Sequence, residues 1–201
     1  MKNARYYKLL ADAFVNDPMC EFLFQDEAKR YDTVKEMFSF MFDLGVGYGK
    51  LITHEDVGLV VYADSYLTYK SAIHQIKKGA LRIPFTIGWR NFLNVLTYER
   101  FAQMLRNKYA KKDDVYLFII AVDPAQHGKG IGSSLISELK TLTPGRRIYL
   151  ETSNPRNIPF YEKNGFRQEK GCRLPGSDVY IWPMIYEDRS VEQDLPCSTE
   201  V

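Results

Sequence analysis

Cysteine is scarce in this chain: three in 201 residues, Cys20, Cys172 and Cys197, far apart and with no CxxC pair. A scattered, odd set excludes a disulfide-framed secreted domain and offers no spacing for structural zinc, so a reducing, cytoplasmic compartment and no metal are expected. Histidine is as rare, and His54 and His74 have no ligand-spaced partners. An excess of charge is also missing, since 27 basic residues stand against 25 acidic, a net of +2. That excludes the basic stripe of a nucleic-acid-binding module and any strong pull toward an anionic membrane. No stretch is long and apolar enough to cross a bilayer. The N-terminal MKNARYYKLLADAF is amphipathic, where a secretory signal would carry an unbroken apolar run. Internal repeats, low-complexity tracts and an inter-domain linker are absent too, which leaves a single domain over residues 1–188 and a polar tail over 189–201.

What is present is apolar and aromatic. Hydrophobic residues make up 45% and aromatics 14%, mostly Tyr and Phe, enough for a filled core and a pocket wall. Helical spacing marks residues 4–15, stopped at Asn16-Asp17-Pro18, and residues 27–44, broken by Gly45, Gly47 and Gly49. Residues 50–53 and 57–62 read as two strands of a hairpin around His54-Glu55-Asp56. From 66 to 112 the pattern is helical again, with Phe85, Trp89, Phe92, Leu93 and Leu96 on one stripe and Phe101, Met104 and Leu105 on another. Val115–Val122 (VYLFIIAV) is continuously apolar, as a strand covered on both faces must be. A helix to about Lys140, a buried strand at 148–151, a short helix closed by Gly165 and a closing hairpin (166–170 with 179–185) follow. The fold expected is α/β, on a mixed sheet.

The chemistry concentrates after the apolar strand, in VDPAQHGKGIGS (122–133). A buried strand runs into glycines that open a helix. Glycine lets backbone approach a phosphate closely, and the free N–H groups and positive end of the helix dipole favour an anion. Lys129 adds a point charge. The P-loop pattern is absent because Lys129 precedes Gly130 instead of Ser or Thr, and G-x-G-x-x-G fails at Ser133 and Leu135.

The segment resembles the acetyl-CoA-binding motif of the GNAT N-acetyltransferase superfamily, in which V-x-P leads to [RQ]-x-x-G-x-[GA] and a helix. Val122, Pro124, Gly130 and Gly132 match in register, and His127 stands at the usual Arg/Gln position, with Gln126 one residue away. Leu150-Glu151-Thr152-Ser153-Asn154-Pro155-Arg156-Asn157 and the following YEKNGF resemble the second block of the same superfamily, and the wording is closest to the puromycin N-acetyltransferase-like branch. The resemblance covers residues 115–185. It implies a mixed, mostly antiparallel central sheet flanked by helices, with residues 66–112 as a helical insertion before the central coenzyme-binding strand.

The resemblance also implies roles. Backbone donors from His127, Gly128, Lys129, Gly130, Ile131, Gly132 and Ser133 would hold the pyrophosphate. Asn154 and Asn157, both well placed as helix N-caps, would reach the pantetheine or phosphate region. The thioester carbonyl would meet backbone near Ile120, Ala121 and Val122, where the two central strands splay. Tyr161 falls at the position of the general acid that protonates the departing thiolate. No Glu occurs in VYLFIIAV, so Glu151 is the first candidate for the general base and Tyr116, through water, the second.

The implied activity is acetyl transfer from acetyl-CoA, releasing coenzyme A, to a primary amine of a small molecule by direct attack in a ternary complex. The insertion favours a small acceptor, because its apolar residues would roof a pocket. The alternatives are transfer to a protein or peptide amine, or a coenzyme A-binding sensor without turnover. Neither nucleic acid nor membrane is an expected partner, and nothing in the sequence sets an oligomeric state.

Overall fold

Leu9, Leu10 and Tyr6 recur at helical spacing and bury one face of α1 (Ala4–Phe14). The chain does not stay irregular after Asn16-Asp17-Pro18. Pro18 opens a short helix, α2 (Pro18–Leu23), and Asp17 caps it by accepting the Met19 N–H at 3.0 Å. The computed structural model describes residues 3–65, 67 and 80–187. The remainder of the expected insertion (66 and 68–79) and the expected tail lie outside the described residues.

Gly45 and Gly47 do not break the second helix, which runs as α3 (Glu27–Tyr48) until Gly49. Gly45 is there for close packing. A Cβ added to it would stand 2.6 Å from Val61 Cγ1 and 3.1 Å from the Phe118 ring, so the helix backbone rests almost directly on the sheet. Gly45→Val is expected to lose roughly 1–3 kcal/mol by overpacking, against only a few tenths returned by helix propensity. Urea melts of the two proteins check this, and an unchanged midpoint would show that the contact yields without cost.

Strands β1 (Lys50–His54) and β2 (Gly58–Ala63) form the expected hairpin, with Glu55 in the left-handed region at φ 48°. After a 3₁₀ turn at Ala80–Arg82 come α4 (Ile83–Ile87) and α5 (Trp89–Tyr109). Here the expected stripes hold only in part: Phe85, Trp89 and Leu93 are exposed, and so are Leu96 and Met104. Of the expected residues Phe92 and Leu105 do meet the core, joined by Val95, Tyr98 and Ala102, which the stripes did not include. An insertion apolar on more than one side leaves the choice of buried face to the partners it meets.

Then follow β3 (Val115–Val122), α6 (Ile131–Leu142), β4 (Ile148–Thr152), α7 (Ile158–Lys163), β5 (Arg167–Gln168), β6 (Cys172–Arg173) and β7 (Tyr180–Tyr186). Among the described residues the sheet has seven strands, in the order β1-β2-β3-β4-β7-β5, and β6 also pairs with β7. Every pairing is antiparallel except β3–β4. This is the mixed, mostly antiparallel sheet expected. One face carries α1 to α5 and the other α6 and α7.

The β2–β3 register slips between Val61 and Tyr62, which leaves Phe118 as an extra residue in β3. A one-residue bulge inverts every side chain beyond it. Val115 and Leu117 accordingly face the α6 side, whereas Ile119 and Ala121 face the α1–α5 side. Gly45 packs on this bulge. Among the described residues no helix is long and apolar enough to cross a membrane.

Candidate active site

The parallel pair β3–β4 is short. It joins Val115 to Ile148 and Tyr116 to Tyr149 and goes no further. Beyond it the strands part, and a cavity of about 270 Å³ opens between Leu117–Ile120 of β3 and Leu150–Ser153 of β4. Met37, Phe38 and Met41 of α3 and Phe92, Val95 and Leu96 of α5 wall it on the helical side. Tyr161, Glu151, Asn157 and Ile120 all line this one cavity. Ala121 is buried in the β2–β3 ladder opposite Leu59, and Val122 ends the strand.

At that end lies the glycine turn. Asp123 takes the Ala125 N–H on its side chain at 2.8 Å and shapes the 3₁₀ turn at Pro124–Gln126. Gly128 and Gly130 stand at φ 80° and 81°, which an L side chain rarely adopts, and no protein atom lies within 4 Å of a Cβ added at either. Two of the expected donors are not free. The His127 N–H goes to Pro124 O at 3.3 Å and the Lys129 N–H to Gln126 O at 3.4 Å. Ser134 is the first to bond back into the turn, at Gly130 O. Among the described residues, the N–H groups of Gly128, Gly130, Ile131, Gly132 and Ser133 therefore have no backbone acceptor. These donors, with the Cβ-free approach at Gly128 and Gly130, fit a pyrophosphate.

Side chains of the turn do less than expected. His127 Nε2 lies 3.2 Å from Val122 O, so its ring turns back on the strand end, and Lys129 donates to Gln126 Oε1 at 2.7 Å. The second block splits its two asparagines. Asn154 caps as expected, accepting the Arg156 N–H at 3.1 Å, but Asn157 makes no side-chain cap bond and lines the cavity. A proline-led helix supplies few free donors to cap, which leaves Asn157 for the cavity.

Tyr161 is placed by contacts that tie α7 to the turn. Phe160 packs against Gly132, 3.1 Å from where a Cβ would be, and Asn164 donates to Ser133 Oγ at 3.1 Å. The Tyr161 ring meets those of Phe160 and Phe166 edge-on. Burial first, and then the charge of Asp17, push its phenol above the usual range, which keeps the proton on at neutral pH and suits a donor.

Glu151 is less free than its place at a strand end suggests. Its carboxylate accepts from Tyr116 Oη at 2.9 Å, Tyr149 Oη at 3.2 Å and Arg106 Nη1 at 3.5 Å, with its side chain 6% exposed. Arg106 also pairs with Glu99 on its own helix and donates to Tyr116 Oη at 3.1 Å. Burial raises the Glu151 carboxyl above the ordinary Glu range, and Arg106 pulls against it.

Sequence reasoning missed Arg106, Glu99 and Asp17. Arg106 and Glu99 are indistinguishable from a solvated helix face. The Asn16-Asp17-Pro18 stop signals a cap, but not that Asp17 would be buried against Ser153, 136 positions away.

The sheet splits at its parallel pair among the described residues, a turn with free backbone donors follows β3, and a phenol and a carboxylate line the cavity between the parted strands. Residues 97–168 match the family model of the acetyltransferase (GNAT) domain. An uncharacterized N-acetyltransferase of Schizosaccharomyces pombe is 26% identical over 179 residues, 82% of this chain and 70% of that protein. A solved structure from Corynebacterium glutamicum, described as histone acetyltransferase HPA2 and related acetyltransferase, has the same fold with a TM-score of 0.63, at 16% identity over 93% of this chain and 92% of its own. Over 130 residues, 58% of this chain and 93% of the other, there is also 31% identity to a Glycine max protein named small ribosomal subunit protein uS8c. The ribosomal name does not fit the fold seen here or a charge balance of 27 basic to 25 acidic residues, and it is not carried over. Residues 97–168 carry a GNAT acetyltransferase domain, a domain that uses acetyl-CoA in general, and the chain is an N-acetyltransferase.

Proposed function

We propose that the acceptor is a primary amine of a small molecule, acetylated by direct attack in a ternary complex. The small, partly open cavity carries this reading. At about 270 Å³ it lies near the low end of small-ligand sites, and α3, α5 and Ile83 of α4 wall one side of it. Among the described residues the acyl-cysteine route finds no support, because Cys20 is buried and Cys172 is on β6 and does not line the cavity.

Acetyl-CoA brings the thioester. The free N–H groups from Gly128 to Ser133 hold its pyrophosphate, with Lys129 beside them, and Asn157 and Asn154 face its pantetheine arm. Backbone of Ile120, Ala121 and Val122, which lacks β4 as a partner beyond Tyr116, receives the carbonyl oxygen. Tyr161 gives a proton to the departing sulfur. Glu151 takes the amine proton through the Tyr116 hydroxyl, which already donates to it, and Arg106 holds both in place.

Release of free thiol from acetyl-CoA is the assay, run with small amines and with peptides. Turnover is expected with small amines alone; turnover confined to peptides would replace the proposed acceptor, and none with either would favour a sensor. Glu151→Gln is expected to lower kcat/KM roughly 10²-fold and to remove the acid limb of the pH profile, which in the parent lies above the ordinary Glu range because burial raises that carboxyl. An unaltered limb would assign the base elsewhere.

A further inference from the structure

Three carboxylates, Asp17, Glu99 and Glu151, line the cavity against a single guanidinium, that of Arg106. Two of them have a cation partner, though a shared one, since Arg106 pairs with both Glu99 and Glu151. The buried Asp114, away from the cavity, is matched as well, by Arg147 at 2.5 Å. Asp17, only 8% exposed, has no ion-pair partner among the described residues. Its Oδ1 accepts both the Met19 N–H and the Ser153 hydroxyl, each at 3.0 Å, and neither of these two bonds occupies Oδ2. Met19, Ser153 and the Asn154 amide ease the charge, yet burial still outweighs them and raises the carboxyl.

A buried carboxylate without a cation is costly, and the cap alone does not require one, because Ser, Thr or Asn would cap α2 equally well. The Ser153 bond fixes the carboxylate across the molecule, from the α1–α2 corner to the end of β4, and its charge is felt at Tyr161. We propose that Asp17 is the binding site for the ammonium group of the acceptor, so that the substrate is a cationic amine with an apolar body. The inference rests on the small-amine reading above. Asp17 Oδ2 takes the ammonium beside Tyr161, and Met37, Met41, Phe38 and Phe92 take the hydrocarbon. The matched Glu99–Arg106–Glu151 group is left for proton transfer.

The probe is phenethylammonium chloride, with 2-phenylethanol as its uncharged counterpart, titrated into the coenzyme A-saturated protein by calorimetry. The unaltered chain should bind the ammonium more tightly than the alcohol. Asp17→Asn keeps the size and an Oδ1 that accepts from Met19 and Ser153; it should weaken the ammonium about 10- to 100-fold and leave the alcohol unchanged. Equal binding of the two probes by the unaltered chain, no ammonium binding, or equal losses of both in Asp17→Asn would each overturn the assignment. Coenzyme A affinity and the thermal midpoint, expected to be preserved in Asp17→Asn, report the fold. Thiol release with phenethylamine is measured in parallel: ammonium binding at Asp17 without turnover would sink the small-amine acetylation reading and leave the binding site standing.

Discussion

Tyr161→Phe is expected to lower kcat by roughly 10²–10⁴-fold, the range for a positioned general acid. The substitution removes one hydroxyl and almost no volume. The ring contacts with Phe160 and Phe166 that seat α7 are kept, so the fold should be unaffected. Acetyl-CoA affinity should also hold, because the hydroxyl acts on the sulfur only as negative charge develops there. The loss therefore belongs in kcat, with the KM for acetyl-CoA little changed. Burial and the neighbouring Asp17 both disfavour the phenolate, so the group reaches the reaction protonated over the neutral range. Steady-state kinetics with a good amine acceptor decide the matter. Full kcat in the variant would mean that solvent supplies the proton, and a raised KM with intact kcat would make Tyr161 a binding residue.

Gly130→Asp should abolish most acetyl-CoA binding while the protein stays folded. Gly130 stands at φ 81° with no protein atom within 4 Å of its missing Cβ, so the new side chain meets open space in the free protein. Asp tolerates the left-handed region better than most residues, which limits the strain to about 1 kcal/mol. With the pyrophosphate in the turn, the same carboxylate stands against like charge. At 4–5 Å and an effective dielectric of about 20, the repulsion is roughly 3–4 kcal/mol, a 10²–10³-fold loss of affinity. Calorimetry with acetyl-CoA measures it, and near-normal affinity in a folded variant would remove the turn as the phosphate site.

The glycine turn and the strand before it were largely legible. VYLFIIAV is buried on both faces, the glycines at 128 and 130 do adopt positive φ, and the strand–turn–helix order is as read. Those features rest on neighbours in sequence, where the backbone demands of glycine and proline act directly. Even so, two backbone donors were misassigned, because the 3₁₀ turn at Pro124–Gln126 folds back on the His127 and Lys129 N–H groups. The acceptor side was much less legible. The apolar residues of α5 fit more than one stripe, and Gly45 looks like a helix breaker until Val61 is seen beneath it.

By itself the sequence determined the class of element at each position, the two blocks of the acetyltransferase motif, the candidate phenol at 161 and the absence of a net charge that would favour nucleic acid. All are local or compositional properties. Only the tertiary structure decided what surrounds the reacting groups. It paired Glu151 with Arg106 and Tyr116, put Asn157 on the cavity wall with no cap bond from its side chain, and buried Asp17 against Ser153 with no ion-pair partner among the described residues. The reason is physical: the charge state and reach of a buried group depend on partners brought together through space, and those partners lie 35, 45 and 136 positions away along the chain.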